Sequence, residues 1–112
     1  MTKVTSVYSK EFSYIPNLQA LETVNYCLCT TKNTDFTAYG IDIYSCSGPK
    51  NSFEAQKKDE AELKIISSSK DFVLKILKYL YENSIKPDTA KYIILDIINK
   101  YKFPTNSNSM IP

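Results

Sequence analysis

Apolar positions in the last third of the chain recur at helical spacing. Phe72, Val73, Ile76, Leu77 and Leu80 form one stripe, with Lys75, Lys78 and Glu82 on the opposite side, which predicts an amphipathic helix from about Ser69 to Asn83. Ala90, Ile94, Ile97, Ile98 and Tyr101 form a second stripe, predicting a helix from about Thr89 to Tyr101. Ile93 and Leu95 widen that stripe, so this helix is expected to be buried on more than one side. Ser68-Ser69-Lys70-Asp71 reads as a capping box with Ser68 as N-cap. Pro87 stands where it breaks neither helix, and Asp88 reads as the cap of the second.

Upstream the period changes to two. Between Thr23 and Thr31, Val24, Tyr26 and Leu28 alternate with Asn25, Cys27 and Cys29, the pattern of a half-buried strand. Lys32-Asn33-Thr34-Asp35 is polar and turn-prone, so the next segment, Phe36 to about Ser45, is expected to return antiparallel. There Tyr39, Ile41 and Ile43 share one face, and Ala38, Gly40, Asp42 and Tyr44 the other. Gly40 in mid-strand signals a bulge or a close backbone approach. Glu62-Leu63-Lys64-Ile65-Ile66 reads as a closing strand. Residues 1–22 are the hardest to read: Val4 to Tyr8 suits a short strand, Ile15-Pro16-Asn17 a turn, and Leu18 to Leu21 one helical turn. The polar stretch 47–61 is expected to be a mobile loop, and residues 104–112 a disordered tail. Together these elements predict one α+β domain over residues 1–103. It would have a small antiparallel sheet of three to four strands, followed by a pair of antiparallel helices packed on one face.

Composition narrows the function classes. The 112 residues carry a net charge of +2, which by itself indicates no polyanionic partner. His, Trp and Arg are missing, all 14 basic residues are Lys, and Ile, Asn and Tyr are abundant, a bias typical of an AT-rich, low-GC bacterial genome or one of its mobile elements. The N-terminus has no apolar region of signal-peptide type, and Lys75 and Lys78 interrupt the longest apolar stretch, so neither secretion nor a membrane span is expected. Three cysteines, Cys27, Cys29 and Cys46, fit reduced thiols in a cytoplasmic protein better than a disulfide framework.

Candidate chemistry is sparse. With no His and no fourth Cys, the thiols lack the ligands of a structural zinc site and the base that a cysteine nucleophile needs, so no metal, cofactor or catalytic residue is expected. Asp35, Asp42, Glu54, Asp59, Glu60 and Glu62 are scattered, and Asp42, an acid inside a strand, reads as solvent-facing. The stretch from Lys64 to Lys102 holds eight Lys against four acids, which admits phosphate contacts. Its second helix, however, offers almost no polar side chains for base edges and no Arg for guanine.

The run Tyr39-Gly40-Ile41-Asp42-Ile43, a polar loop, Ile65-Ile66-Ser67 with a capped helix, Ile85-Lys86-Pro87 and Asp96-Ile97-Ile98 resembles a family of small clostridial (Firmicutes) proteins known only as a domain of unknown function. The resemblance covers residues 23–101, implies no activity and supplies no catalytic residue.

The expected role is therefore that of a non-enzymatic protein–protein interaction or regulatory module, with a nucleic-acid-associated regulator using helix Lys residues as the alternative. A surplus of tyrosines on strands and helices suits interfaces. A homodimer is expected to bury the sheet face away from the helices, with Phe36, Tyr44 and Tyr26 as interface residues alongside an unknown protein partner.

Overall fold

The computed structural model describes residues 2–13, 21–47 and 57–102. Four strands, β1 (Thr2–Ser13), β2 (Leu21–Lys32), β3 (Thr37–Ser47) and β4 (Lys57–Ser67), precede two helices, α1 (Lys70–Glu82) and α2 (Pro87–Lys102). The strands pair antiparallel in the order β1-β2-β3-β4, so each lies beside its neighbour in sequence. The class is α+β, as the two periodicities predict.

The β2–β3 hairpin runs in one unbroken register, from Glu22 opposite Ser47 to Lys32 opposite Thr37. At its tip the Asn33 amide donates to the Phe36 carbonyl at 2.8 Å. This register turns Val24, Tyr26 and Leu28 to the same side as Ile41 and Ile43. Val73, Ile76, Leu77 and Leu80 of α1 and Ala90 and Ile94 of α2 pack onto that side. These eleven side chains are buried, and Tyr39, Ile97 and Ile98 pack half-buried around them.

Gly40 is where the sheet departs from regularity. The β3–β4 register shifts between Tyr39 and Ile41, and β4 arches over the glycine. A Cβ there would run into the backbone carbonyls of Leu63 and Lys64, so only glycine permits this approach. The close backbone contact expected from a mid-strand glycine is present.

Several boundaries differ from the sequence expectations. The first strand extends over Thr2–Ser13 instead of five residues. Its alternation is hidden by a bulge between Ser6 and Tyr8: Thr5 lies opposite Leu28, but Tyr8 lies opposite Tyr26, so the inward parity changes from odd to even. Leu21 opens β2 and is not part of a helical turn. Lys57 to Ala61, expected within a mobile loop, form the first half of β4. Their charges suit an edge strand, where they discourage pairing with another chain. The remaining loop residues 48–56, the segment 14–20 and the tail 103–112 lie outside the described residues.

The N-cap of α1 is Ser69, one residue later than expected, and its hydroxyl accepts from the Phe72 amide at 3.2 Å. Asp71 therefore sits inside the first turn, where its charge complements the helix dipole but closes no box. Asp88 likewise is not the cap of α2: Pro87 opens that helix, and the Lys86 carbonyl accepts from the amides of Thr89 and Ala90.

The turn between the helices is held from below by the first two strands. α1 ends in a Schellman arrangement, with the Ile85 amide bonded to Leu80 O and the Ser84 amide to Tyr81 O, and Ser84 in the left-handed region at φ 55°. The Lys10 ammonium, reaching up from β1, donates to Tyr81 O at 2.6 Å and to Ser84 Oγ at 3.0 Å. It supplies the cation that the last turn of α1 itself lacks. Tyr26 donates to the Ile85 carbonyl at 2.8 Å, and Lys86 pairs with Glu22 at 3.0 Å. The Tyr8 ring stacks on Tyr81 with centroids 4.5 Å apart.

Candidate functional site

Two features stand apart from the core. One lies on the sheet face turned away from the helices. The register places Ser6, Cys27, Asp42 and Glu62 side by side in one row across all four strands, and Tyr44 opposite Glu60 in the next. Strand periodicity then points Asp42, Glu60 and Glu62 to the same side. One carboxylate oxygen from each lies within 4.8 Å of the others. Asp42 is only 5% exposed, and Cys27 and Cys29 beside it are fully buried. Lys57, at the start of β4, bonds Glu60 at 3.3 Å and holds its ammonium 4.7 Å from the centre of the Tyr44 ring.

Burial chiefly, then the hydrogen bond and negative charge of Glu60 and the charge of Glu62, push the Asp42 carboxyl up to about 7. Its hydrogen bond draws the Glu60 carboxyl downward. The pair thus shares a proton that resides on Asp42. Burial, reinforced by the Asp42 charge, pushes the thiols of Cys27 and Cys29 up to about 11. Both are therefore neutral thiols near pH 7 and poor nucleophiles.

The second feature is a groove between the helices. Phe72, Ile76 and Tyr79 line it from α1, and Tyr92, Ile93 and Ile97 from α2, around a volume of about 740 Å³. These residues fall at i, i+4, i+7 on α1 and i, i+1, i+5 on α2, and Ile76 belongs to both the groove and the sheet-facing core, so the groove opens along the edge of the core stripe. Lys75, Asp96 and Lys100 edge the groove, the last two paired at 3.3 Å. Tyr92 is 74% exposed and Tyr79 50%. α2 is not buried on more than one side as expected: Ile94 is buried against the sheet, but Ile93 and Ile97 are half-buried along the groove and Leu95 is exposed.

The structure does not bring together the three residues expected at an interface. Phe36 is half-exposed at the hairpin tip, and Tyr44 is half-buried on the outer face beside Lys57. Tyr26 is fully buried on the opposite face, with its hydroxyl bonded to the helix turn, so it has no surface to offer a partner. Asp42 is the second correction: it is buried instead of solvent-facing. Its sequence signal was present but incomplete. Alternation places it with Gly40 and Tyr44, and a hairpin closed over residues 33–36 pairs it with Cys27. Glu62 lies in the expected closing strand and pairs with Asp42 once that strand adds to β3, whereas Glu60 joins only because β4 extends back to Lys57.

The fold and these two features define a class: a four-stranded antiparallel meander carrying two C-terminal helices on one face, with a polar cluster on the other. Residues 10–100 match the model of a family of unknown function, DUF6514, and the chain belongs to that family. No curated protein and no solved structure matches the chain. Among the described residues, no helix is long and apolar enough to cross a membrane.

Proposed function

We propose that this chain is a non-enzymatic, self-associating interaction module whose working surface is the groove between α1 and α2. The observation that carries the reading is the groove itself, lined by six aliphatic and aromatic side chains with the largely exposed Tyr92 ring at its edge. The proposed occupant is a second copy. Tyr92 and Leu95 form an exposed ridge beside the hollow, so one surface carries both knob and hole. Lys75 and Asp96 on the same surface can exchange charges across a two-fold axis. The homodimer in this reading uses the helix layer and not the sheet face. The exposed face of α2, with Tyr92, Leu95 and Asp96, suits a protein surface better than a phosphate backbone. Three free cysteines support a cytoplasmic setting, and the Lys-only basic composition supports a source with an AT-rich genome such as a clostridial one.

Light scattering across a dilution series tests the proposal. The native chain is expected to be a dimer at tens of micromolar. Tyr92→Glu, a change at an exposed position, is expected to weaken association about tenfold or more while leaving the far-UV circular dichroism unchanged. A monomer mass for the native chain at high micromolar concentration refutes self-association through this groove.

A further inference from the structure

We propose that Asp42, Glu60 and Glu62 form a binding site for an oxygen-preferring divalent cation of the Mg²⁺, Mn²⁺ or Ca²⁺ class. The site lies on the outer face of the sheet, away from the helix groove, and does not depend on it. Two independent observations carry the assignment. The first is geometric: the three carboxylates offer one oxygen each, and these oxygens lie within 4.8 Å of one another. Ligands bound at about 2.4 Å to a common ion are separated by up to roughly twice that distance, so one cation can touch all three.

The second is the state of Asp42. The residue is nineteen-twentieths buried, and its Oδ1 is wholly buried without a hydrogen-bond partner among the described residues. A buried acceptor left unpaired is costly, and a carboxylate oxygen more so. Lys57 does not relieve it, since that ammonium bonds Glu60 at the exposed side of the cluster. A cation between the three carboxylates would offset the negative charge that converges there. An all-oxygen donor set selects hard cations. Cys27 and Cys29 lie on the same face but outside the converging set, so soft thiophilic ions gain no preference there. Three protein ligands leave the remaining coordination positions to water.

The sheet provides the rigidity. Asp42 and Glu62 are register partners on β3 and β4, and Glu60 is the next residue on the same face. Hydrogen-bonded strands thus hold the three Cα positions, and only the partly exposed Glu60 and Glu62 side chains adjust their rotamers to close on the ion. Lys57 is the built-in competitor: its ammonium occupies one ligand until a divalent ion displaces it.

Calorimetric titration of the full chain with MnCl₂, and with CaCl₂ in parallel, tests the proposal, followed by terbium luminescence excited through Tyr44, the register partner of Glu60. Saturable binding at one site is expected. Asp42→Asn, which keeps the buried shape, is expected to lose on the order of tenfold or more in affinity. Glu62→Gln, on the exposed edge strand, guards against a folding defect and is expected to lose affinity without a change in circular dichroism. Lys57→Gln is expected to bind Mn²⁺ more tightly than the native chain. The absence of saturable Mn²⁺ and Ca²⁺ binding, or binding unaltered in both Asp42→Asn and Glu62→Gln, overturns the assignment.

Discussion

Cys27 and Cys29 show how strongly a single residue's behaviour depends on its neighbours. In the sequence they are two thiols flanking Leu28. In the fold they are sunk into the outer face of the sheet beside a buried carboxyl, and burial raises both to about 11. Since the thiolate is the reactive form, accessibility and acidity act in the same direction here. Cys46 is half-exposed near the end of β3. A disulfide reagent at mildly alkaline pH is therefore expected to modify Cys46 first in the native protein, and Cys27 and Cys29 only after denaturation. Mass spectrometry of the labelled peptides checks this, and fast labelling of all three thiols would contradict it. The same residue-level logic explains the misreading of Asp42. A strand acid normally faces water, and only the convergence of Glu60 and Glu62 from β4 makes this one exceptional.

At the scale of elements, α2 is the instructive case. Its apolar residues exceed what one contact face needs, and the excess is divided between two surfaces. Ala90 and Ile94 are fully buried against the sheet, whereas Ile97 is half-buried and lines the groove. The stripe in the sequence does not distinguish Ile97 from Ile94. The packing selects Ile94. Ile94→Ala is expected to destabilise the protein by about 2–5 kcal/mol, with Ile97→Ala costing distinctly less, as read from urea midpoints. Equal losses for the two variants would mean that the sheet-facing side of α2 has been misplaced. β1 teaches the converse lesson. Its Ser, Thr and Lys content and its bulge conceal an inward row of Tyr8, Lys10 and Phe12 that buttresses the turn between the helices. Period-two reading fails at a bulge because one extra residue exchanges the faces.

For the whole molecule, the buried ionisable groups predict a defined pH dependence. Burial, with the Tyr81 charge second, raises Tyr26 to about 12, and the thiols of Cys27 and Cys29 stand at about 11. All three are raised above their ordinary values of 10 and 9. Below about pH 8 the folded and unfolded chains both hold these protons, and the stability is fully present. As pH rises toward the folded-state values, the unfolded chain releases protons that the folded chain retains. The unfolded state gains, and stability falls. Urea midpoints are expected to decrease steadily from about pH 8.5 to about pH 10.5. A constant midpoint over that interval would show that these groups ionise freely in the folded state.

Much of the architecture is determined by the sequence itself, for a local reason. Helical stripes over α1 and α2, alternation in β2 and β3, the polar turn between those strands and the mid-strand Gly40 each depend on residues near one another in the chain, so pattern and backbone preference suffice. The α+β class and the sheet-facing core follow from them. Only the tertiary structure decided the rest. The length of β1 depended on its partner β2, since a polar edge strand has little pattern of its own. The charged start of β4 became a strand only by pairing with β3. The meeting of Asp42 with Glu60 and Glu62, and the opening of a groove between two helices, depend on strand register and helix placement across tens of residues. Such long-range geometry is set by the mutual fit of whole elements, which no short stretch of the chain encodes.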